Sequence, residues 1–239
     1  MIIIPMAGKS SRFFNEGYIV PKYMLPLNNG SNVFKESIKS FKKYFESDFF
    51  LFITRSDFDV QNFVKKECLD LGINNFEVVS LIDDTRGQAD TVKIGLEKSK
   101  SILNEEMYIF NIDSIRVNFI KPSSFFLKNT DGYLEVFEGE GDHWSFAEAD
   151  ENNLVKRTTE KIRISNFCSN GLYYFSSINL FLETFMSLEV SNNYNELFIA
   201  PMYNIIIRRG KKVKYILLKK NQTLFSGTPY EYEELKNIF

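Results

Sequence analysis

Short apolar runs alternate with amphipathic segments along the first half of the chain, and this alternation constrains the fold more than any other feature of the sequence. Strands are predicted over residues 1–5, 49–54, 76–82 and 107–113, and helices over residues 32–45, 60–72 and 89–99. In the first helix, Phe34, Ile38 and Phe41 recur at the spacing of one helix face. Regular strand–helix repeats with short connections favour parallel βαβ units. The predicted fold class is therefore α/β, with three α/β/α layers in a Rossmann-like arrangement around a mixed, mostly parallel sheet.

The second half of the chain has a different pattern, in which strands dominate. Strands are predicted over residues 132–139, 144–150, 154–161, 171–177 and 213–219, and helices near residues 180–188, 197–207 and 229–239. The last helix starts with Pro229 in its first turn, a position that suits proline. Because no internal repeat or linker interrupts the sequence, we expect a single domain over residues 1–239, with halves at 1–115 and 116–239.

Composition and charge exclude several classes of protein. The formal net charge is -2 and 44% of the residues are hydrophobic. The chain is therefore expected to be globular, and nothing in it indicates a nucleic-acid or membrane partner. The apolar N-terminal run is too short for a signal peptide or a membrane span, which leads us to expect a cytoplasmic protein. Cys68 and Cys168 have no metal-ligand spacing and are expected to be buried thiols.

The loop after the first predicted strand, AGKSSR, has the composition of a phosphate-binding loop. Gly8, Lys9 and Ser10 match the end of the ATP-binding P-loop motif, but that motif needs a further glycine five residues before its Gly-Lys pair. Ile3 occupies that position, within a run of isoleucines. The P-loop is therefore excluded, although small residues at this place would still let backbone amides approach a phosphate.

Five segments of the sequence follow one another in the order found in one enzyme family. They are PMAGKSSRF with PKYMLPL, RGQADTV (86–92), FNID (110–113), TEK (159–161) and FSGTPYEY (225–232). In this order they resemble the signature segments of the nucleotidyltransferases that make nucleotide sugars, the nucleotide-sugar pyrophosphorylases. The resemblance extends along nearly the whole chain. It implies a GT-A-like fold, with residues 1–115 as the nucleotide-binding half and residues 116–239 as a smaller, β-rich acceptor-binding half.

The resemblance also implies a reaction, which is transfer of a nucleotidyl group from an NTP to a phosphorylated sugar or polyol, with Mg²⁺ as cofactor and pyrophosphate as product. Both reactants are anions, so the protein must supply cations, backbone amides and a metal, and must hold the reactants in line. Arg12 suits a bidentate contact with phosphate oxygens, and Lys22 suits a point contact with the α-phosphate. Asp113 supplies the hard oxygen that Mg²⁺ prefers. The implied pathway makes precursors of a bacterial capsule or lipopolysaccharide.

The site residues implied by the resemblance fall into three groups. The catalytic residues are Arg12 and Lys22. The nucleotide-binding residues are Met6, Ala7, Gly8, Lys9, Ser10, Ser11, Gly87, Gln88 and Asp113, and Asp113 is also the metal ligand. The acceptor-binding residues are Glu135, Trp144, Ser145, Glu160 and Lys161. Among these, Gly87 would let the base approach the backbone, Glu160 would bond a hydroxyl group, and Lys161 would bind the phosphate of the acceptor.

Three positions depart from the family pattern. Ser10 stands where the loop usually has its second glycine, and Ile162 follows the Glu-Lys pair in place of proline. Phe225 stands two residues before the closing Gly-Thr, where the family often has an aspartate that serves as the second metal ligand. The metal is therefore expected to be held by Asp113 with water and phosphates, or by a further carboxylate that the sequence does not identify.

Alternatives of another class stay open. A glycosyltransferase of related architecture would hold its metal with an Asp-x-Asp pair, and the corresponding stretch here is Asn111-Ile112-Asp113. A non-catalytic nucleotide-binding relative is the second alternative, and Phe225 favours it. CTP and UTP are the expected nucleotides. The sequence identifies neither the acceptor nor the oligomeric state, so a homo-oligomer also stays open.

Overall fold

The computed structural model describes residues 1–100, 104–190 and 196–239. Its strands are β1 (Ile2–Met6), β2 (Phe50–Arg55), β3 (Phe76–Leu81), β4 (Met107–Phe110), β5 (Ser114–Arg116), β6 (Gly132–Glu138), β7 (Ser145–Ala149), β8 (Val155–Glu160), β9 (Phe167–Phe175), β10 (Val213–Leu217) and β11 (Thr223–Phe225). Its α-helices are α1 (Ser11–Asn15), α2 (Val33–Ile38), α3 (Val60–Leu71), α4 (Gln88–Lys98), α5 (Ser124–Leu127), α6 (Ile178–Val190), α7 (Met202–Arg208) and α8 (Pro229–Ile238). Short 3₁₀ helices occupy Lys22–Met24, Lys39–Tyr44 and Lys220–Gln222.

One continuous sheet runs through both halves of the sequence, in the order β10-β6-β9-β4-β1-β2-β3. The pairs β1–β2, β1–β4, β2–β3 and β10–β6 are parallel, whereas β9 is antiparallel to both of its neighbours. The β7–β8 hairpin joins β9 through a single pairing of Phe146 with Cys168. The predicted mixed, mostly parallel α/β sheet is therefore confirmed.

The central strands are buried on both faces, which is why they are apolar throughout. Ile2 and Ile4 of β1 contribute to one hydrophobic core and Ile3 to another, because successive side chains of a strand point to opposite faces of the sheet. Helices cover both cores and complete the three layers. Cys68 and Cys168 are buried free thiols, as predicted. No described helix is long and apolar enough to cross a membrane.

Several local elements differ from the prediction. The helix expected over 32–45 is α-helical only through Val33–Ile38 and continues as a 3₁₀ helix, with a kink at Phe41 (φ -100°, ψ 18°). The Phe41 ring packs edge-on against Phe110 and Phe119, each with centroids 5.1 Å away. These long-range ring contacts accompany the break in the local helical pattern. The small β5–β11 sheet and helices α1 and α5 were not predicted, and α7 begins at Met202 rather than near residue 197.

The carboxyl ends of the parallel strands β1, β2, β3 and β4 lie at one edge of the sheet, which places the segments that follow them near one another. The loop after β1 leads into α1, and the turn after β4 carries Asn111 and Asp113. The strand ends at Phe110, so Asp113 follows it instead of closing it. This edge of the sheet is where the candidate site lies.

Candidate functional site

A cavity at this edge consists of two neighbouring chambers. The first chamber, of about 530 Å³, is lined by the loop after β1, the start of α4 and residues 196 and 198. The second chamber, of about 410 Å³, is lined by α1, the start of the β7–β8 hairpin and the segment between β11 and α8. The residues shared by both chambers are Lys9, Ser11, Lys22, Asn111, Asp113, Ser145, Glu160 and Tyr173.

The loop after β1 turns at Ser10, which has a left-handed backbone conformation (φ 52°, ψ 28°). Glycine adopts this conformation without strain, which accounts for the glycine that the family has at this position. Ser10 adds a contact that glycine lacks, because the backbone N–H of Lys22 donates to its Oγ at 3.2 Å. This bond ties the Lys22–Met24 3₁₀ helix to the loop. Lys9 is exposed, and its Nζ lies 2.5 Å from Oδ2 of Asp84.

The three charged groups singled out from the sequence meet at this cavity. The Nζ of Lys22 lies 2.5 Å from Oδ2 of Asp113, and the two side chains are 21% and 25% exposed. Arg12, on α1, is exposed and lines the second chamber beside them. Two cations and one carboxylate that are up to 101 residues apart in sequence thus border one cavity.

Gly87 and Gln88 lie at the start of α4, on the wall of the first chamber. The backbone of Gly87 (φ 125°, ψ -176°) is in a region that is essentially restricted to glycine. A Cβ on this residue would lie 2.6 Å from the carbonyl oxygen of Leu197, so the chain packs too closely here for any side chain. The Gln88 side-chain amide donates to the side-chain oxygen of Asn111. Asn111 was not among the predicted site residues, and the sequence pointed to it only through its Asn-x-Asp spacing.

A hydrogen-bonded chain of side chains crosses the boundary between the chambers. The Tyr173 hydroxyl donates to Oγ of Ser145 at 3.2 Å, and the Ser145 hydroxyl donates to the carboxylate of Glu160. Burial raises the pKa of Glu160, although the Ser145 bond and the charge of Lys161 oppose that shift. Burial also raises the pKa of Tyr173 to about 12. Tyr173 lies on β9 and was missed from the sequence, because the run GLYYFSS gives no sign of which tyrosine faces a cavity.

Aromatic rings form one wall of the second chamber. Phe225, at the position of the missing aspartate, lies with its ring centroid 4.8 Å from that of Trp144 and 5.1 Å from that of Phe137. The Trp144 indole N–H donates to the carbonyl oxygen of Glu140 at 3.0 Å, which fixes the ring. His143 is exposed, and its ring centroid lies 4.4 Å from that of Trp144.

Two of the predicted acceptor-binding residues lie outside both chambers. Glu135 is 1% exposed and accepts from Nε of Arg116 at 2.6 Å and from Nδ2 of Asn170 at 3.0 Å, so it is a buried ion-pair partner. Lys161 has a left-handed backbone (φ 57°), and its Nζ lies 3.8 Å from the carboxylate of Glu196 and 4.5 Å from the ring centroid of Phe198. Glu135 thus does not reach the cavity, whereas Lys161 lies beside it without lining either chamber, with its Nζ 4.0 Å from Oε1 of Glu160.

A pair of carboxylates flanks Gly227 in the second chamber. A Cβ on Gly227 would lie 3.2 Å from Oδ2 of Asp113 and 3.4 Å from Oε2 of Glu231, so the missing side chain leaves open the space between them. Glu231 belongs to the capping box of α8, in which Oε2 accepts from the backbone N–H of Thr228 at 2.9 Å. Among the described residues, no group of three or more acidic, histidine or cysteine side chains could hold a metal. Mg²⁺ commonly needs only one or two carboxylates, with phosphates and water as its other ligands, and this pair fits such a site.

Known structures resemble the chain along its full length. A nucleoside-diphosphate-sugar pyrophosphorylase from Vibrio cholerae RC9 is 42% identical, with a TM-score of 0.94 over 99% of this chain and 100% of that chain. The inositol-1-phosphate CTP transferase from T. maritima (17% identity, TM-score 0.74, 99% of this chain and 94% of that chain) has the same fold. So has an apo-UDP-glucose pyrophosphorylase (17% identity, TM-score 0.76, 99% of this chain and 96% of that chain).

No protein-family model matches the chain, and neither does any curated protein. The family is instead shown by the 42% identity, which extends over essentially the whole of both chains. The same family had been indicated by the order of five sequence segments, and the structure places Arg12, Lys22 and Asp113 of these segments at one cavity. The chain belongs to the nucleotide-sugar pyrophosphorylases, which are nucleotidyltransferase enzymes.

Proposed function

We propose that this protein transfers a nucleotidyl group from CTP or UTP to a phosphorylated sugar or polyol and releases pyrophosphate. The observation that carries the proposal is the convergence of Arg12, Lys22 and Asp113 on one cavity at the carboxyl edge of the sheet. Reacting two phosphate groups requires cations held in place before the reactants arrive. Side chains on separate surfaces could not supply them, whereas these three groups border the same space.

The two chambers suit the two substrates. We assign the nucleoside to the first chamber, where the loop after β1 and the start of α4 offer backbone and amide groups. We assign the acceptor to the second chamber, where Ser145 and Glu160 offer hydrogen bonds and Trp144 offers an apolar face. The reacting phosphates then meet at the shared boundary, beside Lys22 and Asp113. An acceptor phosphate is already ionised at neutral pH, so the reaction needs no general base.

The cations have separate parts in this scheme. Lys22 lies at the boundary and stabilises the α-phosphate as the acceptor oxygen approaches it, while Arg12 neutralises the phosphate groups on the side of the second chamber. Asp113 would hold Mg²⁺, which when bound would offset negative charge on the phosphate oxygens. Because Lys161 lies beside the cavity without lining either chamber, we assign the acceptor phosphate to Arg12 and Lys22, which line the second chamber.

The choice of pyrimidine nucleotides and of the pathway depends on the similarity of this chain to known structures. Two proteins of the same fold are named for CTP and for UDP-glucose, and the chain belongs to a family that makes activated sugars. We propose on this basis that the product is a precursor of a bacterial surface polysaccharide.

The test is a matrix of the four NTPs against sugar 1-phosphates and polyol phosphates, with Mg²⁺ present and pyrophosphate release as the readout. We expect release with CTP or UTP and one class of acceptor, and loss of release after chelation of the metal. Binding of NTP without pyrophosphate release across the whole matrix would instead identify a non-catalytic relative. Turnover with a finished nucleotide sugar alone would identify a glycosyltransferase.

With the substrates in hand, Lys22→Ala tests the assignment of this side chain. We expect kcat/KM to fall about 10²- to 10³-fold, as for the loss of one preorganised charge contact to a reacting group. Lys211→Ala is the matched control, since Lys211 also forms an ion pair, with Asp131 at 2.9 Å, but lies outside both chambers. Equal activities of the two variants would show that Lys22 does not act on the phosphates.

A further inference from the structure

The carboxylate of Glu231 faces the same small space as that of Asp113. The two oxygens lie 3.4 Å and 3.2 Å, respectively, from the point where a Cβ on Gly227 would stand. Glu231 also lines the second chamber, together with Arg12 and Lys22. The segment from β11 to α8 thus brings a second carboxylate towards Asp113, that of Glu231, four residues after Gly227.

The residue that supplies this group in related enzymes is replaced here. Phe225 pairs with Ser114 across the small β5–β11 sheet, so its position adjoins Asp113 in space as an aspartate there would. The Phe225 ring instead packs on Trp144 and offers no oxygen to a cation. Compared with the family pattern, the site therefore lacks a carboxylate two residues before Gly227 and has one four residues after it.

One side-chain cation already borders this space. The ammonium group of Lys22 lies 2.5 Å from Oδ2 of Asp113, the oxygen that borders Gly227. No cation of the described part of the chain lies within 4.0 Å of the Glu231 carboxylate in an ion pair, and its Oε2 is held by the Thr228 backbone N–H. The capping box fixes the side chain in place at the N-terminus of α8, with its carboxylate at the mouth of the second chamber.

We propose that Glu231 is the second acidic residue of the Mg²⁺ site and takes the place of the aspartate that Phe225 has replaced. The inference rests on the proposed Mg²⁺-dependent nucleotidyl transfer. In this arrangement Asp113 and Glu231 bind the metal from opposite sides of Gly227, directly or through water, and phosphates and water complete its coordination. The first turn of α8 thereby performs two tasks, since one side chain both caps the helix and contributes to the metal site.

Metal binding can be measured without turnover, by titrating the protein with Mn²⁺ in the presence of CTP or UTP and following the free ion by electron paramagnetic resonance. Glu231→Gln keeps an oxygen for the capping box and removes the charge. Glu234→Gln is the matched control, because it makes the same change at an exposed position of the same helix. We expect about a tenfold to hundredfold loss of Mn²⁺ affinity in Glu231→Gln and in Asp113→Asn, and wild-type affinity in Glu234→Gln.

A second variant leaves both carboxylates and the cap intact. Gly227→Ala places a methyl group between Asp113 and Glu231, at a residue whose backbone conformation alanine can adopt. We expect it to weaken Mn²⁺ binding as well, and we expect Phe225→Asp to restore binding in the Glu231→Gln protein. Wild-type Mn²⁺ affinity in both Glu231→Gln and Gly227→Ala would overturn the proposal.

The outcomes separate this inference from the proposed function. If Asp113→Asn abolishes Mn²⁺ binding while Glu231→Gln does not, the metal site stands and the part assigned to Glu231 is wrong. If the wild-type protein binds Mn²⁺ through both residues but releases no pyrophosphate with any substrate pair, the inference about Glu231 stands and the proposed reaction is wrong.

Discussion

Replacing Glu135 by glutamine should lower the free energy of unfolding of the protein rather than weaken acceptor binding. The resemblance had placed this residue in the acceptor site, but the structure buries it against Arg116, with side chains 2% and 7% exposed. Arg116 lies on β5, immediately after the turn that carries Asp113, and Glu135 lies on β6 of the main sheet. The ion pair therefore joins the small sheet beside the site to the large one.

The magnitude follows from burial. Removing one member of a buried ion pair leaves the other charge in a medium where it is poorly solvated, at a cost of about 3–5 kcal/mol. The chain contains a matched pair on its surface, since Nε of Arg157 also lies 2.6 Å from a carboxylate oxygen, that of Glu148, with side chains 59% and 40% exposed. Breaking an exposed pair changes the free energy of unfolding by about 0–1 kcal/mol. Equal geometry with unequal burial thus predicts a difference of several kcal/mol.

Urea unfolding of Glu135→Gln, Glu148→Gln and the wild-type protein measures this difference. If the denaturant slope is about 3 kcal/mol per molar urea, the midpoint of Glu135→Gln should fall by about 1 M or more, and that of Glu148→Gln by a few tenths. A double change of Glu135→Leu with Arg116→Met should recover much of the loss, because no unpaired charge then remains. Unfolding of Glu135→Gln at the midpoint of Glu148→Gln, combined with a raised KM for the acceptor, would refute this reasoning and return Glu135 to the acceptor site.

Two further variants test local features of the site. Gly87→Ala should lose about 2–5 kcal/mol of unfolding free energy in urea melts, because of backbone strain and contact of the new methyl group with Leu197. Gly8→Ala is the control, since its Cβ would meet no atom within 4 Å, and it should lose about 0.5 kcal/mol or less. Similar losses in both variants would contradict the packing at Gly87. Burial raises the pKa of Glu160 above its ordinary value of 4.5, so the native state holds its proton to higher pH than the unfolded chain does. The stability of the wild-type protein relative to Glu160→Gln should therefore be greatest below pH 4.5 and fall as the pH rises through the raised pKa, and a pH-independent difference between their urea midpoints would contradict this.

The repeating part of the fold could be predicted because its signals are periodic. Alternating side chains and helical spacing identify β1 to β4 and the helices between them, and the rule that ligands bind at the carboxyl ends of parallel strands places Asp113 near the loop of Arg12. The convergence of Lys22 with Asp113 follows from the same rule. These features depend on the order and direction of whole strands and helices, which periodic sequence patterns predict.

The parts that could not be predicted depend on single residues or on distant partners. Strand alternation shows that Glu135 and Val136 point to opposite faces, but it does not show which face borders a cavity and which borders the buried Arg116. The left-handed backbone of Lys161 is compatible with many sequences, yet it decides where that side chain points. Glu231 resembles an ordinary capping residue in the sequence, and its proximity to Asp113 requires the packing of α8 beside the β4–β5 turn.

In the described part of the chain, the β7–β8 hairpin pairs with the central sheet at Phe146–Cys168 and at the bridge between Leu154 and Lys214, while Ser145 and Glu160 stand at its open end. On its other side β8 is held by α7, since the backbone N–H of Thr158 donates to the side-chain oxygen of Asn204 at 2.8 Å. The place of Ser145 and Glu160 in the cavity therefore depends on the packing of α7 as much as on the pairing of the hairpin with the sheet.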